Sequence, residues 1–212
     1  MNDIAGPLVK WFARNGRRFP WREERDPYHV LIAEIMLQRT KADQVKPVYL
    51  SFMARFPTPE ALDKAMYEEV ESCMSRLGLR WRIPLVKKLA KRLVSEFQGQ
   101  VPRDRDKLLE LPGIGEYIAD AVLVFCHDVD VATVDSNVCR IFQRLTGSES
   151  SSEARRDRGL RELIESNVPP GMAREFNWAL IDLGSLVCKS RNPLCSLCPL
   201  SEGCSSGQAH HF

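Results

Sequence analysis

The chain has 212 residues, with 30 Lys and Arg against 28 Asp and Glu, for a formal net charge of +2. Hydrophobic residues make up 44% and charged residues 27%, as in ordinary soluble globular proteins, and so small a net charge does not by itself mark a nucleic-acid binder. No apolar run reaches the length of a membrane span, and the N-terminus has no apolar core of signal-peptide length, which points to a cytosolic protein.

Helical signals dominate from the N-terminal side onward. DPYHVLIAEIMLQRT offers Asp26 as an N-cap with Pro27 at the first helical position. Within it Glu34 sits among Val30, Leu31, Ile32, Ile35, Met36 and Leu37, which leaves little room for a wet face. This acid is either the one exposed position of the helix or a desolvated group. Desolvation would raise its pKa and suit it to act as a general acid. TPEALDKA repeats the same start with Thr58 and Pro59.

From Arg76 to Arg92 the chain carries Arg76, Arg80, Arg82, Lys87, Lys88, Lys91 and Arg92 and no acid. Such a run is either a solvated helix face or a phosphate-facing surface. IPLVKKLAKRLVSEF within and beyond it has helical spacing. LLELPGIGEYIADAVLVF follows: a short helix, a turn with Gly113 and Gly115, and a second helix from about Glu116. Glycines there permit unusual backbone angles and bare N–H groups for an anion. The alternative is an ordinary tight helix–helix turn. Twenty residues after Gly115, Asp135 precedes the apolar helix SNVCRIFQRL as a natural N-cap, a role compatible with a catalytic carboxylate.

GSESSSEARRD is the most loop-like stretch, and GMAREFNWALIDLGSLVC reads as a further helix. Strand patterns are scarce, so the expected fold class is all-α. Seven cysteines is an odd count, which argues against a simple disulfide framework. Four of them, Cys188, Cys195, Cys198 and Cys204, are separated by six, two and five residues. Four clustered cytosolic thiols suit structural zinc or an iron–sulfur cluster. Cys73, Cys126 and Cys139 read as small core residues, and the four histidines give no coherent metal set.

LPGIG, Asp135, FNWALIDLGSLVC and the cysteine spacing together resemble the helix–hairpin–helix DNA glycosylases of the endonuclease III superfamily, from about Phe19 to Cys204. The resemblance implies a six-helix domain over 25–134 and a cluster domain built from 1–24 and 135–212, with DNA bound in the cleft between them. It implies that the four cysteines hold a [4Fe-4S] cluster. Lys189 and Arg191 would then contact phosphate, as would the hairpin at Gly113 and Gly115. Arg39 and Leu79 match the positions that fill or wedge the duplex, although Trp81 and Pro84 depart from the family near the wedge. Asp135, Glu34 and Tyr117 are the implied catalytic residues. Tyr117 stands where the bifunctional enzymes carry a lysine nucleophile, so strand cleavage through a Schiff base is not expected.

Two monofunctional groups fit. Adenine-mismatch glycosylases share WREERDPYHVLIAEIMLQRT, but they usually have a small residue in place of Tyr117, and they continue into an 8-oxoguanine-reading domain. This chain ends eight residues after Cys204. Thymine–DNA mismatch glycosylases pair the tyrosine with the aspartate, and that pairing makes them the closer group. The expectation is a monomer, cytoplasmic and associated with the nucleoid, that acts on double-stranded DNA containing a mismatch. It would remove T or U opposite G.

Overall fold

The computed structural model describes residues 3–78, 80–148 and 154–208, and no strand occurs among the described residues. Helix α1 (Ala5–Asn15) belongs to a compact unit made of Met1–Arg17 and Asp128–Phe212. The other unit, Arg18–His127, holds α2 (Pro20–Glu23), α3 (Pro27–Leu37), α4 (Ala42–Arg55), α5 (Pro59–Lys64), α6 (Tyr67–Met74), α7 (Arg82–Phe97), α8 (Arg105–Glu110) and α9 (Glu116–His127). Helices α10 (Ser136–Thr146), α11 (Arg158–Glu165), α12 (Ala173–Leu186) and α13 (Ser205–Gln208) complete the first unit.

Several helix starts are fixed by short polar side chains that take up orphan backbone N–H groups. The Asp26 carboxylate accepts from Tyr28 N (2.8 Å) and His29 N (3.4 Å), and Pro27 follows as expected. Thr58 accepts from Ala61 N at 3.2 Å, with Pro59 next. Asp104 and Asp157 cap α8 and α11 in the same way.

In the Arg18–His127 unit α3 packs on α4 and α9, and α5 packs on α7. Burial of α3 on nearly every side follows from its unbroken apolar run. In the other unit α12 lies against α1 and α10, around Leu8, Val138, Phe142, Phe176, Leu180 and Leu183. Gly184 permits the close crossing of α12 and α10: a Cβ there would stand 2.8 Å from Asn137 Cβ.

The basic run from Arg76 to Arg92 is not one surface. Arg82 is buried and donates to backbone carbonyls. The Lys87 ammonium donates to the carbonyls of Leu62, Asp63 and Ala65 and so closes the C-terminal end of α5. Arg92 pairs with Glu96 and Glu110. Arg76, Arg80, Lys88 and Lys91 are the exposed members. Of the three cysteines read as core, only Cys139 is buried; Cys73 and Cys126 are half-buried. Leu79, residues 149–153 of the loop-like stretch and the terminal His210 and His211 lie outside the described residues.

Candidate active site and cluster loop

Within the Arg18–His127 unit, Glu34 comes from the middle of α3 and is 6% exposed. Tyr117 is half-buried in the first turn of α9, the helix on which α3 packs. No amine occupies that turn, whose residues are Glu116, Tyr117 and Ile118. The hairpin between α8 and α9 is closed by Ile114 N donating to Leu111 O (3.2 Å). Arg105 braces it from behind with a two-pronged contact to Asp120 at 2.7 and 3.2 Å.

The two hairpin glycines differ. Gly113 has φ +82°, and a Cβ there would already touch Leu85 at 3.4 Å. Gly115 has no left-handed angle, and an added Cβ would meet nothing within 4 Å. The fold therefore demands glycine at Gly113 but not at Gly115, whose exposed backbone opens α9. Arg39 follows α3 in a turn, exposed, with φ +55°, a region that side-chain-bearing residues seldom occupy.

Asp135 lies in the other unit, half-buried at the start of α10. Its Oδ1 accepts from Asn137 N and Val138 N, both at 2.8 Å, and its Oδ2 accepts from Asn137 Nδ2 at 2.9 Å. Three donors thus fix the carboxylate. The extended segment leading to it is pinned by Asn177, fully buried on α12. Asn177 Oδ1 accepts from Thr133 N and Oγ1, and Asn177 Nδ2 donates to Val131 O and Ala173 O. Asn177 and Thr133 were missed in the sequence. The available signal was an amide on the apolar stripe Phe176, Leu180, Leu183.

The far end of α10 meets the cysteine loop. Arg140 donates to Cys188 O, and Arg144 donates to Lys189 O (2.7 Å), Ser190 O (3.0 Å) and Cys188 Sγ (3.4 Å). Cys204 Sγ in turn donates to Arg144 O. The four thiols share one pocket wall with Val187, Pro193 and Leu194, and all four are half-buried and free of disulfides. Burial pushes the Cys198 thiol up to about 11; a backbone hydrogen bond from Leu200 opposes the rise, and the thiols of Cys188, Cys204 and Cys195 add to it. Four soft donors lining one pocket suit by their chemistry a multinuclear iron–sulfur group bound through thiolates, which fits a [4Fe-4S] cluster. Lys189 and Arg191, on the loop between the first two cysteines, are exposed.

Comparison with known proteins agrees with this geometry. The profile of the HhH-GPD superfamily base excision DNA repair proteins matches residues 32–166. The iron–sulfur binding domain of endonuclease III matches residues 188–204, and a [4Fe-4S] cluster is the cofactor of this chain. A thymine/uracil-DNA glycosylase of Pyrobaculum aerophilum is 38% identical, over 92% of this chain and 86% of that one. An adenine DNA glycosylase of Buchnera aphidicola is 34% identical, over 94% of this chain and 57% of its own length. The solved structure of a thermostable thymine-DNA glycosylase superposes with a TM-score of 0.92 at 34% identity, over 97% of this chain and 95% of that one. A non-covalent endonuclease III–DNA complex gives 0.83 at 26% identity, over 97% and 94%. With its hairpin, its capped aspartate and its terminal cysteine loop, the chain belongs to the HhH-GPD superfamily of base excision DNA repair proteins.

Proposed function

We propose that this protein is a monofunctional DNA glycosylase that acts as a monomer on mismatched duplex DNA, extrudes T or U paired with G, and hydrolyses its N-glycosidic bond to leave an abasic site. The observation that carries the reading is Tyr117: the first turn of α9 offers a phenol and no amine, so the chain lacks there the nucleophile that opens a sugar by Schiff-base chemistry. The 38% identity to a thymine/uracil-DNA glycosylase supports the choice of base.

In this reading the hairpin backbone at Gly113 and Gly115 meets a phosphate, as helix N-termini do. Extrusion costs least at a mismatch, where pairing is already weak. Arg39 fills the vacated duplex, and Leu79, outside the described residues, is its partner as a wedge. Glu34, buried among apolar neighbours, binds or protonates the leaving base, and Tyr117 lines the pocket against it. Asp135 stabilises the cationic sugar or activates water, its carboxylate held in place by three donors. Cys188, Cys195, Cys198 and Cys204 hold the [4Fe-4S] cluster, which braces the loop that carries Lys189 and Arg191 to a phosphate.

A panel of duplexes carrying T:G, U:G, A:G and A:8-oxoguanine tests the substrate. Free T or U should appear from the first two. Release of adenine alone would transfer the protein to the adenine-mismatch group.

A further inference from the structure

Arg82 opens α7 and, at 1% exposed, heads the fully buried side chains by size. Its guanidinium is surrounded by backbone oxygens. Nη1 donates to Ile35 O (3.0 Å), Met36 O (2.7 Å) and Gln38 O (3.2 Å). Nη2 donates to Thr40 Oγ1 (3.2 Å) and Leu77 O (3.3 Å). Among the described residues no carboxylate pairs with it, and its Nε has no hydrogen-bond partner. A buried cation without a counter-charge is costly, so simple stability is a poor reason for its presence.

The acceptors have a pattern. The carbonyls of Ile35 and Met36 belong to the C-terminal turn of α3, whose cap residue is Gln38. Arg82 also reaches Gln38 and Thr40, on either side of Arg39, whose backbone is left-handed at φ +55°. It then reaches Leu77, at the end of a short 3-10 helix and next to Gly78 with φ +67°. Gln38 extends the connection, donating through Nε2 to Gly113 O in the hairpin at 3.4 Å. A single guanidinium therefore ties together two turns, one of which holds Arg39 at an unfavourable left-handed angle and is itself tied to the hairpin.

We propose that Arg82 is a positioning residue that locks the turns at Gln38–Thr40 and Leu77–Gly78 together, so that Arg39 is already presented to the duplex before DNA binds. This rests on the proposed role of Arg39 as a DNA contact. Pre-ordering a strained turn lowers the conformational cost of binding. The planar fork is what spans five acceptors. A lysine keeps the charge but not the span.

The test is a double-mutant cycle in cluster-loaded protein, read as Kd for a duplex with a stable abasic analogue opposite G and as single-turnover release from U:G. Arg82→Lys should weaken both by about tenfold, the scale of lost charge-assisted hydrogen bonds. In an Arg39→Asn background, which keeps a residue tolerant of left-handed angles, the same change should cost less than about twofold, because the side chain it positions is gone. Equal losses in the two backgrounds, or a silent Arg82→Lys, overturn the proposal. If Arg82→Lys does not fold, the cycle is read on Thr40→Val, which removes one acceptor and leaves the buried cation; it should weaken binding by about threefold only when Arg39 is present. Wild-type protein that binds the abasic duplex but releases no base sinks the functional reading alone, since the cycle is still read in Kd. No duplex binding by wild type overturns both.

Discussion

Asp135 has two duties on one carboxylate: its Oδ1 caps α10 and its Oδ2 accepts from the Asn137 side chain. Asp135→Asn separates them. The amide keeps the capping oxygen, and the Asn137 side chain can flip to offer its own oxygen to the new amide nitrogen. Stability should therefore fall by less than the ~1 kcal/mol of a lost cap. Single-turnover release from T:G should fall by about a hundredfold or more, the scale of removing one group that stabilises transition-state charge. Binding to the mismatch should persist. Release within a few-fold of wild type, beside an unchanged melting curve, would leave Asp135 as a cap only. Asp135 could be picked out in the sequence because a cap is a local pattern. The partners of Asn177 at Val131 and Thr133 could not, because they lie more than forty positions away.

The hairpin between α8 and α9 shows what a motif does and does not disclose. PGIG was enough to expect a tight turn with exposed N–H groups. The division of labour between its glycines depends on φ and on Leu85, a distant neighbour in the chain. Gly113→Ala should destabilise the protein by about 1–2 kcal/mol, the cost of a side chain in left-handed backbone. Gly115→Ala should melt as wild type does, because its methyl group meets no protein atom within 4 Å. It should nonetheless weaken binding to undamaged duplex by several-fold, by holding a phosphate off the backbone. Melting curves beside a binding titration check both; a Gly115→Ala that binds normally would remove the hairpin from the phosphate contact. The basic run from Arg76 to Arg92 was legible only in part, for a related reason. Charge can be counted along a sequence, but Arg82 and Lys87 point inward to carbonyl groups, and a sequence does not give that direction. The starts of α3 and α5 were legible because Asp26–Pro27 and Thr58–Pro59 need nothing beyond their own turn.

For the molecule as a whole, the cysteine loop buries little apolar surface of its own: Leu194 and Leu197 are exposed and Leu200 is buried. The arginines of α10 fasten it to the rest of its unit. Cys198→Ser should lose the brown iron–sulfur absorbance and lower the melting temperature, because cluster binding is coupled to folding of this loop. Stoichiometric zinc without iron in wild-type protein prepared without air would contradict the assignment. The four-cysteine spacing was legible in the sequence; the Arg140 and Arg144 fastenings were not, because they join α10 to a loop over forty residues away. Release of a mispaired pyrimidine without cutting the strand is the activity proposed for this fold. Its most direct measurement is single-turnover reaction of the cluster-loaded protein with T:G and U:G duplexes, assayed for free base and, with and without alkali, for strand breaks. Free T or U is expected, with breaks only after alkali. Breaks at neutral pH, or no free pyrimidine from either duplex, would contradict it.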